Sequence, residues 1–322
     1  MKIFTFLIMT IFSFNIYGQE YYFINAESGL NVRSESNLSS NKVAKIPFGT
    51  LIEKISDTDK YFTINDNGKK IKGQFVKIKY NNYGYLVNEE TEQFEREGYV
   101  FDAYLKKRDN KNIINSIEIN KTEYFKLLKN VDKIVYNPIK IENLDSIKVI
   151  LKNRVEWVSE FSEDEYKRED AIKSIITDNG QKLRISQIGN DYGFSEGHSG
   201  YYPEYGILLL EGGHSSDMCF SIKTGETDLT IGNPEYIVPS PNKNYRLNGY
   251  FGGQECISYF FQKKEKEKFV YLSEFNWEYD ICVLKEFYWV NENEFIYKKL
   301  NYEIDSENGI EEYFKGKIKN NT

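Results

Sequence analysis

The sequence predicts a mainly β protein, in which a small N-terminal β-barrel precedes a β-rich region with one or two short helices. Two observations lead to this prediction. Aromatic residues are abundant, with 26 Tyr and 22 Phe among 322 residues, and aromatic side chains favour pleated, half-buried strands. Short segments of alternating apolar and polar residues also recur between turn residues along most of the chain, which is the pattern of antiparallel strands.

The first eighteen residues have the organisation of a secretory signal peptide. Lys2 precedes an apolar stretch over residues 3–14, about 12 residues long, which suits a signal and is shorter than the roughly 20 residues of a membrane-spanning helix. The small residue Gly18 then meets polar sequence at Gln19, where we expect cleavage. The prediction is therefore export to the periplasm or the extracellular space, with no transmembrane segment in the mature chain.

The charge of the chain argues against a nucleic-acid partner. The formal net charge is −7, whereas non-specific binding to nucleic acid needs an excess of Lys and Arg to neutralise phosphates. In addition, no glycine-rich loop in the sequence follows a strand and opens a helix, as a phosphate-binding loop would. No cofactor is therefore expected.

Residues 19–108 read as short strands separated by turns. Residues 30–33 and 42–46 have strand patterns, and residues 74–79 alternate again before a closing strand near residues 98–105. Residues 65–68, with the sequence Asn-Asp-Asn-Gly, are a strong turn signal. This density of short strands predicts a small barrel.

Several segments of this region together resemble the bacterial Src-homology-3-like (SH3-like) family. They are GLNVRS at residues 29–34, KVAKIPFGT at 42–50, FVKI at 75–78 and GYVFDAYL at 98–105. Phe75 stands where the family commonly has Trp, and residues 81–97 look like an insertion before the closing strand. The resemblance implies a non-catalytic module that recognises peptides or cell-wall material.

A module of this kind would bind its ligand in a groove lined by rigid aromatic rings. Each candidate is also compatible with core packing or with an ordinary position on the surface of a Tyr-rich chain. The candidate ligand-binding residues are Tyr61, Phe75, Tyr83, Tyr85 and Tyr99.

Beyond the barrel, residues 109–170 are expected to form a connecting α/β segment, and residues 171–322 a β-rich domain. Asn120, with Glu123 three residues later, predicts the start of a short helix. Turns at residues 242–245 and 291–295 precede aromatic strands 49 residues apart, roughly the interval between propeller blades. An antiparallel sheet or sandwich and a partial propeller-like arrangement are the alternatives for this domain.

The search for catalytic chemistry centres on the only two histidines, His198 and His214. Each lies in a Gly-His-Ser sequence after an acidic residue, and Asp217 follows closely. A zinc site needs three or four converging ligands, and neither histidine has a partner at helical i, i+4 spacing. They are weak candidate metal ligands and are interpreted as polar turn residues, so neither a metal site nor a catalytic residue is predicted.

Three cysteines, Cys219, Cys256 and Cys282, lie in the last third of the chain. An exported setting permits one disulfide bond among them, and buried thiols are the alternative. Both histidines precede all three cysteines, which reverses the Cys-before-His order of papain-like enzymes. This order argues against a cell-wall peptidase of that type.

These observations favour an exported, non-catalytic binding protein of the cell envelope, with the SH3-like module recognising a peptide or peptidoglycan-like ligand. The alternative is a hydrolase of cell-wall or glycan material. Its site would lie in the C-terminal β-rich domain and would use carboxylates or the His198 and His214 loops.

Overall fold

The structure is a computed structural model, and its described residues form antiparallel sheets and two short α-helices. The described residues are 20–26, 28–46, 48–66, 68–81, 95–107, 113–131, 136–158, 170–178, 180, 182–184, 192–225, 231–253, 257–266, 268–275, 284–301 and 309–319. The predicted mainly β fold is confirmed. Among these residues, no helix has the length and apolar character needed to cross a membrane.

The N-terminal region forms one curled, seven-stranded antiparallel sheet, in the order β3-β2-β6-β5-β4-β1-β7. Its inner face packs around Val32, Ile46, Ile78 and Val100, which are all fully buried. The strands are β1 (Glu20–Ile24), β2 (Leu30–Arg33), β3 (Lys42–Ile46), β4 (Leu51–Asp66), β5 (Lys69–Asn81), β6 (Glu95–Phe101) and β7 (Leu105–Lys107).

The turn predicted at residues 65–68 connects β4 to β5. Asp66 pairs with Lys69, and Gly68 has a φ of 82°, a conformation that glycine adopts without strain. At the far end of β5, Asn81 pairs with Glu95. Both ends of the insertion suggested at residues 81–97 therefore lie in paired strands, since Glu97 pairs with Lys79.

Two helices follow, α1 (Lys121–Leu128) and α2 (Leu144–Leu151). The Asn120 side chain accepts a hydrogen bond from the Glu123 amide, as the sequence predicts for α1. Asn143 caps α2 in the same way through the Ser146 amide. Ile147 and Leu151 lie on one face of α2 and enter the core that it shares with the neighbouring sheets.

The C-terminal half contains antiparallel sheets in which strands that are consecutive in sequence lie next to each other. The first two sheets have three strands each, and the next two have four each. The first three sheets are β9 (Val155–Trp157), β10 (Ile172–Ile176) and β11 (Lys182–Arg184); β12 (Gly200–Tyr202), β13 (Ile207–Glu211) and β14 (Asp217–Ser221); and β15 (Val238–Pro239), β16 (Tyr245–Phe251), β17 (Ile257–Glu265) and β18 (Lys268–Glu274).

The last sheet takes one strand from the segment that precedes the helices. It contains β19 (Leu284–Trp289), β20 (Glu294–Asn301), β21 (Ile310–Ile318) and β8 (Ile114–Ile119), and β8 pairs with β21. The expected connecting segment is therefore hydrogen-bonded into the C-terminal β structure. The C-terminal region is therefore a series of antiparallel sheets, the last of which is completed by an early strand.

An aromatic core joins the two four-stranded sheets. Phe261 of β17 lies against Phe295 of β20 and Trp289 of β19, with ring centroids 5.0 and 5.9 Å apart. The Trp289 indole also donates to the Val238 carbonyl at 2.9 Å. Aromatic residues, which are abundant in this sequence, thus provide much of the packing between these sheets.

Candidate functional site

Of the aromatic residues predicted from the SH3-like resemblance, the three that the structure describes, Tyr61, Phe75 and Tyr99, do not line one groove. Tyr61 is 62% exposed, with the Lys72 ammonium 5.9 Å from its ring centroid. Tyr61 pairs with Gln74 and Tyr99 with Lys77, three residues further along β5. Because side chains alternate along a strand, Tyr61 and Tyr99 point to opposite faces of the sheet. Tyr83 and Tyr85 lie outside the described residues.

Phe75 belongs to the interior and does not line a surface groove. Its side chain is only 2% exposed. Phe62 and Phe101 meet its ring edge-on, with centroids 5.4 and 5.7 Å away. A ligand cannot reach this ring without repacking the aromatic cluster. The prediction that Phe75 lines a ligand-binding groove is therefore wrong.

The structure brings one of the histidines against a buried carboxylate. His198 lies in the turn before β12, and its Nε2 is 3.3 Å from Oδ1 of Asp217 at the start of β14. The Asp217 side chain is 1% exposed, and its Oδ2 accepts hydrogen bonds from the Phe251 amide and the Asn233 side chain. Asp217 follows His214 in the sequence, yet in space it lies beside His198.

The other groups near this pair do not complete a catalytic or metal site. His214 is exposed and has a left-handed φ of 54°. The described residues contain no group of three or more His, Cys, Asp or Glu side chains that could hold a metal ion. Cys219 is a buried free thiol, and burial, with a smaller effect of Asp217, raises its pKa. A buried protonated thiol is a poor nucleophile. Cys256 and Cys282 lie outside the described residues.

The N-terminal sheet meets the C-terminal region at a turn formed by Phe48 and Gly49. Gly49 has a φ of 85°, and a Cβ atom at this position would lie 2.7 Å from Cγ1 of Val270 on β18. Glycine is therefore required both by the backbone conformation and by this close approach. The Lys268 ammonium lies over the Phe48 ring, 5.4 Å from its centroid, and Lys106 forms an ion pair with Glu265 at 2.6 Å.

Two cavities flank this contact, and both are lined by Phe48, Gly49, Val270 and Tyr271. Their volumes are about 340 and 320 Å³. These volumes lie at the lower end of the range for small-molecule sites. We call the second one the Arg246 cavity; among the residues that line it are Phe48, Tyr205, Arg246, Gln262, Phe269 and Tyr271.

Arg246 is the most unusual residue in this cavity, because it is a buried cation. The residue is 6% exposed, and its guanidinium carbon lies over the rings of Phe269 and Tyr205, 4.0 and 5.3 Å from their centroids. Its Nε donates to Oε1 of Gln262 at 2.5 Å. Burial lowers the pKa of the Arg246 guanidinium to about 10, so the group remains protonated at neutral pH.

Sequence reasoning did not single out Arg246. In β16, Tyr245 and Leu247 face the aromatic core, while Arg246 and Asn248 point to the other face. Such alternation normally indicates a solvent-exposed polar face, but here all four side chains are buried. The covering contacts come from distant segments, so the local pattern carries no signal for this site.

The chain was compared with protein-family models, with curated protein sequences and with solved structures, and none of them matches it. The resemblance of the N-terminal region to the SH3-like family therefore stays a prediction. The cavities, and the pair formed by His198 and Asp217, are the structural features that bear on function.

Proposed function

We propose that this chain is an exported, non-catalytic binding protein of the cell envelope that recognises peptide or cell-wall material. The ligand occupies the Arg246 cavity. One observation carries the proposal: the Phe48 and Gly49 turn of the N-terminal sheet and the strands of the C-terminal region line the same cavity, which contains a buried cation. Ligand sites occur preferentially in such concave places between structural units.

Retention on purified peptidoglycan tests the proposal with the mature chain. Lys268 is exposed and lines the Arg246 cavity, whereas Lys42 is exposed on β3 of the N-terminal sheet. We expect the wild-type chain to be retained, the Lys268→Glu variant to be retained less, and the Lys42→Glu variant to behave as wild type. The proposal fails if the wild type is not retained, or if both variants lose retention equally.

The export part of the proposal rests on residues 1–18, which lie outside the described residues. Expression of the full sequence in a bacterial host tests it. We expect the chain in the exported fraction to begin near Gln19 by mass spectrometry. An uncleaved chain confined to the cytoplasm contradicts this part.

A cell-wall or glycan hydrolase is the second candidate, favoured by the 3.3 Å contact between His198 and Asp217. A histidine beside a carboxylate is a recurring part of hydrolytic sites, but this contact does not have the geometry of a hydrogen bond. The measurement is the release of soluble fragments from peptidoglycan, with His214→Gln as the matched control for His198→Gln. The binding proposal predicts no release by the wild type, while release that only His198→Gln abolishes supports the hydrolase.

A further inference from the structure

The guanidinium of Arg246 has donors that the protein does not use. An arginine side chain carries five N–H donors. Its Nε donates a hydrogen bond to Gln262. Among the described residues, no group accepts a hydrogen bond from either Nη atom, and no carboxylate forms an ion pair with the guanidinium. A buried charge without a counter-ion is costly, and the two aromatic rings compensate for only part of that cost.

The unused edge of the guanidinium has a definite shape. With Nε held by Gln262, the two Nη atoms present a planar pair of donors. Gln262 is itself fixed, because its Oε1 also accepts a hydrogen bond from Asn248 at 3.3 Å. A planar pair of donors matches the two oxygens of a carboxylate or phosphate group, which arginine binds through two parallel hydrogen bonds.

The surrounding charges also favour an anion. Lys223, Lys264 and Lys268 line the Arg246 cavity together with one carboxylate, that of Glu204. The cavity is therefore locally cationic in a chain whose formal net charge is −7. A concave site lined by one sign of charge concentrates ligands of the opposite sign.

Other walls of the cavity are apolar. Ile207 and Val270 line it and are 5% and 8% exposed, and Ile231 lies beside them. A carboxylate attached to a small apolar group can use the guanidinium and these apolar walls together, whereas inorganic phosphate has no apolar part to contact them. We infer that the Arg246 cavity binds a ligand by its carboxylate, as at the C-terminus of a peptide. This inference rests on the proposed function, because it names the ligand chemistry of the same cavity.

Calorimetric titration of the mature chain tests this inference with matched probes. The probes are N-acetyl-alanyl-alanine, the same compound with a C-terminal amide, and inorganic phosphate. We expect the acid to bind and the amide to bind about tenfold more weakly or worse, since the amide loses the charge-assisted hydrogen bonds. We also expect Arg246→Met to reduce binding of the acid about tenfold or more.

The Arg246→Met variant keeps most of the side-chain volume and removes a buried charge, so its melting temperature is expected to be no lower than that of the wild type. The acid and amide comparison needs no variant and remains decisive if Arg246→Met does not fold. Equal binding of acid and amide, binding of phosphate but not of the acid, no binding of either, or full binding by a folded Arg246→Met chain would each overturn the inference.

The two proposals can fail separately. Retention on peptidoglycan without acid-dependent binding of the dipeptide removes the carboxylate inference and leaves the proposed function. Acid-dependent binding of the dipeptide without retention on peptidoglycan removes the proposed function and leaves the carboxylate inference.

Discussion

Gln262 lies opposite Arg246 across strands β16 and β17, and its Oε1 accepts the hydrogen bond from Nε of Arg246 at 2.5 Å. This neutral partner fixes the guanidinium without neutralising it. A buried cation is thereby held in place with its charge still available to a ligand.

Replacing this partner by a carboxylate should close the site. In Gln262→Glu, the new side chain would supply Arg246 with an internal counter-ion at the same position. We expect binding of N-acetyl-alanyl-alanine to fall about tenfold or more, as measured by calorimetry, while the chain stays folded. Gln262→Met is the control, because it removes the amide without adding charge; weaker binding by the Met variant than by the Glu variant would contradict this reasoning.

Glu292 connects the turns of the two four-stranded sheets. Its carboxylate accepts hydrogen bonds from the Ser240 hydroxyl at 2.8 Å and from the amides of Asn242 and Asn244 at 2.7 and 3.0 Å. Glu292→Ala removes the carboxylate that accepts all three hydrogen bonds, and we expect it to lower the free energy of unfolding by about 1–3 kcal/mol in urea titrations. The exposed Glu274→Ala serves as the control; similar losses in the two variants would show that this connection contributes little.

The buried position of Phe75 predicts a contrast with Tyr61. Phe75→Ala removes a ring from a closed aromatic cluster, and we expect it to lower the free energy of unfolding by about 3–5 kcal/mol. Tyr61→Ala removes an exposed ring and should change the free energy of unfolding by no more than about 0.5 kcal/mol. Urea titration of both variants checks this, and a loss for Tyr61→Ala as large as that for Phe75→Ala would refute the assignment of Phe75 to the core.

Glu156 gives a predicted dependence of stability on pH. Hydrogen bonds from Lys182 and then Ser174 lower its pKa from 4.5 to about 2. Because the folded-state pKa lies below the unfolded value, its stabilising contribution is fully present above pH 4.5 and is lost as the pH falls towards 2. We expect the difference in unfolding free energy between wild type and Glu156→Gln to shrink over this interval.

The control for this pH dependence is Glu118→Gln, which alters an exposed carboxylate on β8. A difference between wild type and Glu156→Gln that stays constant from pH 4.5 to 2 would exclude the interaction of Glu156 with Lys182 as its source. The contribution is expected to be small, because the Glu156 side chain is 42% exposed and solvent screens its ion pairs.

Local signals in the sequence were sufficient for many elements. The Asn120 cap and the turn at residues 65–68 are confirmed, because each depends on a few neighbouring residues. The turns at residues 242–245 and 291–295 also have a structural counterpart. They precede β16 and β20, the second strands of consecutive four-stranded sheets.

The candidate site could not be predicted in the same way. The sequence placed Asp217 near His214, but strand pairing turns its side chain towards His198. The burial of Arg246 depends on Tyr205 and Phe269, which lie 41 and 23 residues away along the chain. Contacts of this kind follow from the packing of whole sheets and leave no periodic signal in the surrounding residues.

The most direct test of the central claim is hydrogen exchange of the mature chain, measured with and without soluble peptidoglycan fragments. Ligand in the Arg246 cavity predicts slower exchange in residues 48–49 and in residues 268–271, because both segments line it. Protection confined to the strands that carry Tyr61 and Tyr99, with no change in either of these two segments, would contradict the account.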